Sequence, residues 1–329
     1  ATSLLVRDEG GRFAIAQRWE KFGLVSGAVF SDLNGDGQAD LALACDWGPL
    51  RLFLNQSGTL QPWDAPVTWL AATNHQPSTL SQLTGWWHGV TTGDLDGDGR
   101  LDLIGSNWGL NHKYRASREE PRRLYYGDLD ANSTVDVVEA YVHKAMGKVV
   151  PERGLNAVSM AMPLVQERIP TYEAFGLASV EEIFGDGLKS AGVLEANTLA
   201  SIVFFNRGDR FEAVALPAEA QWSPAFGICV GDLDGDGNED VFLSQNLFAV
   251  SPDGWRNDAG RGLWLRGDGK GGLKPMPGQE SGVTVYGEQR GCALADYDGD
   301  GRVDLVVTQN GAATRLFHNV RAKPGLRVR

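Results

Sequence analysis

Short apolar runs alternate with acidic, glycine-rich segments along most of this chain. Runs such as those at 28–30 and 228–230 lead into acidic segments, and runs such as those at 41–43 and 305–307 follow them. The runs are short and rich in β-branched residues, which is typical of strands rather than helices. The pattern therefore predicts a unit of strand, acidic loop and strand that recurs along the sequence.

A second pattern follows the first at a regular offset. Segments such as 52–60 and 203–211 each contain an apolar run, a glycine-containing turn and another run, which predicts a β-hairpin. Together the two patterns give four antiparallel strands in a repeat of about 60 residues, a period typical of solenoids and propellers. Four-stranded antiparallel units favour an all-β propeller, and we predict that residues 1–329 form one such domain or most of one.

The acidic segments have the spacing of calcium-binding loops. Oxygen-bearing side chains stand at positions 1, 3 and 5, where they converge on one cation, and position 7 offers its backbone carbonyl. An EF-hand would close with Glu at position 12, but these loops have an Asp at position 9 instead. The predicted Ca²⁺ ligands, in chain order, are Asp32, Asn34, Asp36, Gln38, Asp40, Asp94, Asp96, Asp98, Arg100, Asp102, Asp128, Asp130, Asn132, Thr134, Asp136, Asp232, Asp234, Asp236, Asn238, Asp240, Asp296, Asp298, Asp300, Arg302 and Asp304.

The third loop departs from the other four. Ala131 and Ser133 replace its two glycines, and Asn132 replaces an Asp. A positive φ is disfavoured for Ser, so the sequence predicts four regular calcium sites and a weaker fifth at 128–136. We expect the calcium to stabilise the folded state by mass action rather than to take part in chemistry.

A helical insertion is predicted over residues 143–197, within the third loop-bearing blade. Ser179 and Glu182 have the spacing of a capping box, and we predict helices over Leu164–Phe175 and Val180–Phe184. The residues after the second loop leave little room for an outer hairpin before Pro121, so that second blade is expected to be truncated.

The motifs resemble those of a known family. The Asp-Leu-Asp-Gly-Asp-Gly loops at 94–99 and 232–237, the Leu-Phe-Leu-Asn hairpin at 52–55 and the Trp-Trp-His-Gly segment at 86–89 are similar to FG-GAP/VCBS-repeat calcium-binding β-propellers, which include the integrin α-subunit head. The resemblance implies five visible loop-bearing blades, in a family whose rings mostly have seven. Blade number and ring closure stay open.

A narrower resemblance concerns the end of the chain. The helical insertion followed by residues 220–224 is similar to bacterial VCBS-repeat proteins that end in an ASPIC/UnbV module, and residues 325–329 resemble the start of that module, cut short. The resemblance therefore implies that this chain is part of a longer polypeptide.

The charge of the chain agrees with bound metal. The formal net charge is −12, and 18 of the 42 acidic residues are Asp side chains in the five loops, so five Ca²⁺ ions would bring the charge to −2. A nucleic-acid partner is not expected, because the basic footprint of such proteins is missing. No apolar run is long enough to predict a membrane span, and three scattered cysteines predict no disulfide framework.

The end of each blade opposite the calcium loops is the predicted ligand face. In antiparallel sheets, the connections from second to third strands and those that enter first strands emerge there. Exposed aromatic side chains beside amides and an Arg suit sugar stacking or a protein hot spot. The predicted ligand-binding residues are Trp47, Trp86, Trp87, His88, Trp108, Trp222, Tyr286, Gln289 and Arg290.

Three classes of function stay open at this stage. We favour a calcium-stabilised module that binds a protein or glycan, and loops of this kind often need about 10⁻⁴ to 10⁻³ M calcium, which indicates an extracellular, cell-surface or periplasmic location although no export signal is present. The alternatives are a polysaccharide-active enzyme such as a lyase and a structural subunit of a larger assembly. No catalytic constellation is found, so we do not expect an enzyme. The ligand and the oligomeric state do not follow from the sequence.

Overall fold

The computed structural model describes residues 2–7, 10–20, 22–70, 78–250 and 254–324. The chain divides into two compact units, the first formed by Ala1–Lys113 with Leu199–Arg329 and the second by Tyr114–Thr198. Over the described ranges, no helix is both long and apolar enough to cross a membrane. The expected module start at 325–329 lies outside the described residues.

Strands dominate the secondary structure, as predicted. The described strands are β1 (Thr2–Arg7), β2 (Phe13–Trp19), β3 (Leu24–Ser31), β4 (Asp40–Gly48), β5 (Arg51–Gln56), β6 (Thr59–Trp63), β7 (Pro66–Trp69), β8 (Ser78–Thr79), β9 (Gly85–Trp86), β10 (Gly89–Gly93), β11 (Asp102–Ser106), β12 (Arg122–Gly127), β13 (Asp136–His143), β14 (Lys148–Pro151), β15 (Gly192–Ala196), β16 (Ile202–Asn206), β17 (Phe211–Ala215), β18 (Ala225–Gly231), β19 (Asp240–Gln245), β20 (Leu263–Gly267), β21 (Leu273–Met276), β22 (Glu288–Ala295), β23 (Asp304–Asn310) and β24 (Ala312–Phe317). The α-helices are α1 (Leu155–Ala161), α2 (Leu164–Arg168), α3 (Tyr172–Leu177), α4 (Val180–Phe184) and α5 (Gly278–Ser281), and 3₁₀ turns lie at Leu80–Gln82, Gly185–Ser190 and Ala218–Gln221.

Among its described residues, the first unit contains four sheets that each begin with a strand, a candidate calcium loop and a second strand. Their strand orders are β3-β4-β5-β6, β10-β11-β16-β17, β18-β19-β20-β21 and β22-β23-β24. All pairs along these paths are antiparallel. At the outer edge of the second sheet β7 pairs in parallel with β17, and β1 pairs with β2 in a separate hairpin.

The second sheet is completed from a distant part of the sequence. β16 pairs with β11, with Leu103 opposite Phe204, although the whole second unit lies between these strands in the chain. The expected truncation of this sheet is therefore wrong, because its third and fourth strands follow residue 199. Sequence order misleads here because strands pair by position in space, and a domain inserted between two strands leaves their pairing intact.

Glycines allow the first strands of successive sheets to touch through their backbones. A Cβ atom on Gly27 of β3 would lie 3.0 Å from the Cα atom of Gly89 in β10, and one on Gly89 would lie 2.3 Å from the carbonyl oxygen of Phe226 in β18. A Cβ on Gly227 would lie 2.9 Å from the Cα of Gly291 in β22. Only glycine permits such an approach. The four first strands thus lie side by side in chain order.

The core of the first unit lies between its sheets. Successive side chains of a strand point to opposite faces, and in β11 both faces are buried, with Leu103 and Ile104 each fully covered. Leu103 packs with Trp87 and Phe204 in one apolar cluster, whereas Ile104 packs with Leu243 in the next. Burial on both faces means that each middle sheet is stacked between two neighbours.

The second unit is a four-stranded antiparallel sheet with helices. Its order is β14-β13-β12-β15, the third acidic loop joins β12 to β13, and α1 to α4 lie between β14 and β15 in the chain. The predicted helix over Val180–Phe184 is confirmed, together with its capping box: Glu182 N donates to Ser179 Oγ over 3.1 Å, and Ser179 N donates to Glu182 Oε2 over 2.6 Å.

The predicted single helix over Leu164–Phe175 is wrong. The structure has two helices there, α2 and α3. α2 ends at Arg168, and the capping residue Ile169 has φ −130° and ψ 81°. Pro170 follows directly, and the residue before a proline is disfavoured in helical backbone because the ring clashes with it.

Candidate metal centres and ligand face

The five acidic loops share one backbone course. Positions 4 and 6 have positive φ in every loop: Gly35 75° and Gly37 82°, Gly97 72° and Gly99 84°, Ala131 62° and Ser133 68°, Gly235 73° and Gly237 93°, and Gly299 78° and Gly301 87°. The third loop follows the same course without glycine. A left-handed conformation costs a non-glycine residue about 1–2 kcal/mol, so the substitutions in this loop store strain rather than change its path.

The first Asp of each loop accepts hydrogen bonds from backbone amides. In the fourth loop, Asp232 Oδ1 accepts from Gly235 N over 2.7 Å and from Asp236 N over 3.1 Å, and Oδ2 accepts from Gly237 N over 2.9 Å. The first residues of the other loops, Asp32, Asp94, Asp128 and Asp296, accept amides of positions 5 and 6 in the same way. These bonds fix the turn around the first carboxylate.

The Asp at position 9 ties its loop to the rest of the sheet. Asp102 Oδ2 accepts from Leu95 N over 3.0 Å, and its Oδ1 accepts from Asn206 N, at the end of the third strand, over 2.8 Å. The same kind of hydrogen bond is accepted by Asp40, Asp240 and Asp304, from the backbone amides of Asn55, Gly267 and Asn319 respectively. The Asp at position 9 therefore anchors its loop to the sheet. The calcium spacing alone does not predict this role.

Carboxylates converge in four loops. Three carboxylate groups have oxygens within 4.8 Å of one another in each of the sets Asp94, Asp96 and Asp102; Asp128, Asp130 and Asp136; Asp232, Asp234 and Asp236; and Asp296, Asp298 and Asp304. Position 3 of the first loop is Asn34, so the carboxylates of that loop stand at positions 1, 5 and 9. Oxygen donors gathered this closely suit a hard divalent cation such as Ca²⁺.

Two features of the second and fourth loops favour the binding of a cation. Asp96 Oδ1 is buried and has no hydrogen-bond partner, which is costly unless an ion or water approaches it. Burial raises the pKa of Asp102 to about 7 and that of Asp240 to about 6, despite the amides that each accepts. A bound cation favours the ionised carboxylate and so opposes this effect. The residues present therefore fit Ca²⁺.

Basic side chains at or after the third strands contact the carboxylate at position 3 of three loops. Arg207 Nη1 lies 2.6 Å from Asp96 Oδ2, Arg266 Nε lies 2.6 Å from Asp234 Oδ2, and His318 Nε2 lies 3.0 Å from Asp298 Oδ2. Sequence analysis missed these partners because they are remote in the chain. Their common position, at or just after the third strand of their sheet, was the available signal.

Several side chains of the predicted ligand face lie in the interior. Trp87 and Gln289 are 0% exposed and Trp86 is 6% exposed. Trp87 Nε1 donates to Leu83 O over 3.0 Å, and Gln289 Nε2 donates to Val285 O over 2.9 Å. The structure therefore places these three residues beneath the face rather than on it.

Partly exposed aromatic residues extend this interior cluster towards the surface. Trp86 contacts Trp47 and Trp108 edge to face, with ring centroids 5.2 Å and 5.0 Å apart. Trp47 has a positive φ of 52°, an uncommon conformation for a bulky residue. Aromatic packing therefore holds a strained connection at the end of β4.

His88 and Arg290 both contact the ring of Phe226. His88 stacks on Phe226 with centroids 4.4 Å apart, and the Arg290 guanidinium lies 4.0 Å from the same ring centroid. His88 Nδ1 hydrogen-bonds with the carbonyl oxygen of Ala225 over 2.9 Å. Burial, aided by the charge of Arg290 and opposed by this hydrogen bond, lowers the pKa of His88 to about 4. The ring is therefore neutral at physiological pH.

Three exposed aromatic residues lie at this end of the sheets. Trp222 is 48% exposed, Tyr286 is 64% exposed and Trp255 is 86% exposed. Trp255 was missed because the connection that carries it, between β19 and β20, has no repeat pattern. The signal available in the sequence was that residue 255 is a tryptophan in a connection from a second to a third strand.

Hydrogen bonds tie together the connections that carry these aromatic residues. Ser223 Oγ, beside Trp222, bonds with Asn246 Oδ1 over 3.1 Å and with Asn257 O over 3.0 Å. Asn246 Nδ2 donates to Gly287 O, beside Tyr286, over 3.1 Å. Asn246 thus links three connections between strands through hydrogen bonds. The exposed rings of Trp222, Trp255 and Tyr286 lie on these three connections.

Comparison with known proteins supports part of the family resemblance. A family model described as FG-GAP-like repeat matches residues 32–105, the segment with the first two loops. No curated protein matches the chain. Among solved structures, the V. cholerae biofilm matrix protein Bap1 is similar over 91% of this chain and 68% of that chain, with 11% sequence identity and a TM-score of 0.25. The chain thus contains an FG-GAP-like repeat segment.

Proposed function

We propose that this protein is a calcium-stabilised interaction module that binds a protein or glycan on the face opposite its calcium loops. The observation that carries the calcium part is the convergence of carboxylates on a common loop course, with Asp96 Oδ1 buried and unpaired. Hard oxygen donors in this number are those that Ca²⁺ takes in proteins. The proposal includes no catalytic step.

We propose a β-propeller arrangement for the first unit. Support comes from its four sheets, each with a loop between first and second strands, from first strands that touch at glycines, and from middle sheets buried on both faces. Propeller blades have this layout, with first strands innermost. The FG-GAP-like match over residues 32–105 agrees with it.

The proposed ligand surface consists of Trp222, Trp255 and Tyr286. Large exposed rings bury much area on binding at a small cost in conformational entropy, which suits sugar faces and protein hot spots. Arg261 lies 5.1 Å from the Tyr286 ring centroid and adds a cation beside the rings. Calcium at the other end of the sheets would hold this surface in shape without touching the ligand.

We propose a location outside the cytosol, at the cell surface, in the periplasm or in the medium. Loops of this kind often bind calcium at about 10⁻⁴ to 10⁻³ M, a concentration that the cytosol does not reach.

The first test is calorimetric calcium titration of chelator-stripped protein, with melting curves before and after. We expect four or five sites and a clear rise in melting temperature, since each site adds about 1.4 kcal/mol at ten times its Kd. Absence of binding with an unchanged melt would refute the calcium proposal.

The second test measures ligand binding by the calcium-loaded protein on panels of polysaccharides and of candidate surface proteins. The variant Trp222→Ala/Trp255→Ala/Tyr286→Ala should lose binding while it keeps its melting temperature. Phe13→Ala is the matched control, because Phe13 is 68% exposed on the separate β1–β2 hairpin. Equal binding by all three proteins would exclude this surface.

A further inference from the structure

Two cysteines face each other between the last two sheets. A Cβ atom on Gly227 of β18 would lie 2.9 Å from Gly291 Cα in β22, and one on Gly231 would lie 3.1 Å from Leu294 Cδ1 in β22. Side chains of a strand alternate between its two sides, and β18 pairs regularly from Ile228 to Gly231, so residues 229 and 231 point the same way. Cys229, midway between these glycines, therefore points towards β22.

Cys292 of β22 meets Cys229 in this interface. The two side chains pack in one apolar cluster, with Cys229 buried and Cys292 partly buried. The neighbouring Cys292 thiol, followed by burial, raises the pKa of the Cys229 thiol. The contacts at Gly227 and Gly231 show that the two backbones run close together on both sides of the cysteine pair.

The same kind of contact occurs between the first two sheets. There β3 lies beside β10 across Gly27 and Gly89, and Ser31 Oγ lies 2.8 Å from Thr92 Oγ1. Side chains that face each other across such glycine-lined interfaces therefore reach direct contact. At the β18–β22 interface the positions that correspond to Ser31 and Thr92 are Gly231 and Leu294, and the cysteine pair lies two residues earlier in each strand.

We propose that Cys229 and Cys292 form a disulfide that links the two sheets. Both are free thiols in the structure, and a low-molecular-weight disulfide or a disulfide oxidoreductase would act as the oxidant. The inference goes beyond the proposed binding role and does not depend on it.

The reaction proceeds in two exchange steps. Cys292 is the more accessible of the two, so its thiolate attacks the donor disulfide, forms a mixed disulfide and releases one donor thiol. Cys229 then loses its proton and attacks the Cys292 sulfur, which releases the second donor thiol. The protein loses two protons and two electrons, and the donor disulfide is reduced to two thiols.

Cys45 is the internal control. It lies in β4 of the first sheet and is 1% exposed, away from the β18–β22 interface. Folded wild-type protein is incubated in a glutathione buffer with excess oxidised form, then denatured, alkylated and mapped by mass spectrometry without reduction. We expect a linked peptide pair that contains Cys229 and Cys292, a mass lower by two hydrogens, and alkylation of Cys45 alone.

Melting curves provide the second readout. Reduction should lower the melting temperature of the oxidised wild type and of Cys45→Ser by roughly 5–10 °C. Cys229→Ser and Cys292→Ser should show no such shift. Three alkylated cysteines after oxidation, a stable glutathione adduct on Cys292, or a cross-link through Cys45 would each overturn the proposal.

Discussion

The carboxylate of Asp102 accepts a hydrogen bond from the backbone amide of Asn206 over 2.8 Å, although 104 residues separate the two in the chain. The other carboxylate oxygen accepts from Leu95 N over 3.0 Å. One buried side chain thus fixes a candidate calcium loop to the third strand of its sheet. In the last sheet, Asp304 accepts a hydrogen bond from Asn319 N over 2.7 Å, so the same link occurs there.

The variant Asp102→Ala should destabilise the first unit even without calcium. Two buried amides would lose their acceptor, and each costs about 1–3 kcal/mol when left unsatisfied. We expect a loss of roughly 2–5 kcal/mol in the free energy of unfolding, measured by urea denaturation with excess chelator. Asp209→Ala is the control, because that side chain is 80% exposed. A loss below 1 kcal/mol would contradict the anchoring role.

The third loop offers a test of backbone strain. In Ala131→Gly/Ser133→Gly the two left-handed positions become unstrained, so calcium binding there should tighten by roughly three- to tenfold. Gly99→Ser is the reverse change in the second loop, where a Cβ atom meets nothing within 4 Å, and it should weaken that site similarly. Site-resolved titration by NMR of the loop amides measures both. Unchanged affinities in both variants would show that φ does not limit binding.

Much of the fold could be predicted from the sequence, because the calcium spacing fixes a turn between two strands. The strands that flank Asp94–Asp102 and Asp232–Asp240 lie where the apolar runs indicate. The partner of β11 could not be predicted, because nothing local marks a strand whose neighbour comes after an inserted unit. The break between α2 and α3 could have been predicted, because the effect of Pro170 on the preceding residue is local.

The ligand face was harder to predict, because an aromatic residue near a strand end has the same local sequence whether it is buried or exposed. Trp87 fills the space between two sheets, whereas Trp222 stands in solvent, and only the packing of distant strands separates them.

This difference gives a direct test. Trp87→Ala should lower the free energy of unfolding by about 3–5 kcal/mol, because it leaves a large cavity in the core. Trp222→Ala should change it by less than about 0.5 kcal/mol. Chemical denaturation in saturating calcium compares the two variants. Similar losses for both would mean that Trp222 also belongs to the core.

Stability should fall in mild acid because of His88. Its folded pKa of about 4 lies below the usual value of about 6.5, so the unfolded chain binds the proton more readily between these values. The stabilising contribution of the neutral ring is complete above pH 6.5 and is lost as pH falls towards 4, up to about 3 kcal/mol.

The comparison is between wild type and His88→Asn, which does not titrate in this range. Both are unfolded by urea from pH 7 to pH 4.5 at one saturating calcium concentration, so that loop carboxylates contribute equally to each. The wild type should lose more stability than the variant. Parallel curves would mean that the histidine is solvated in the folded protein.

The insertion of the second unit between β11 and β16 also has a consequence for synthesis on the ribosome. The strand that carries Asp102 emerges 104 residues before the one that carries Asn206, a delay of roughly 5–20 s at usual elongation rates. The sheet of the second unit, by contrast, closes within Tyr114–Thr198. The second unit can thus fold before β16 is synthesised and pairs with β11. The order of folding then differs from the order of the sequence.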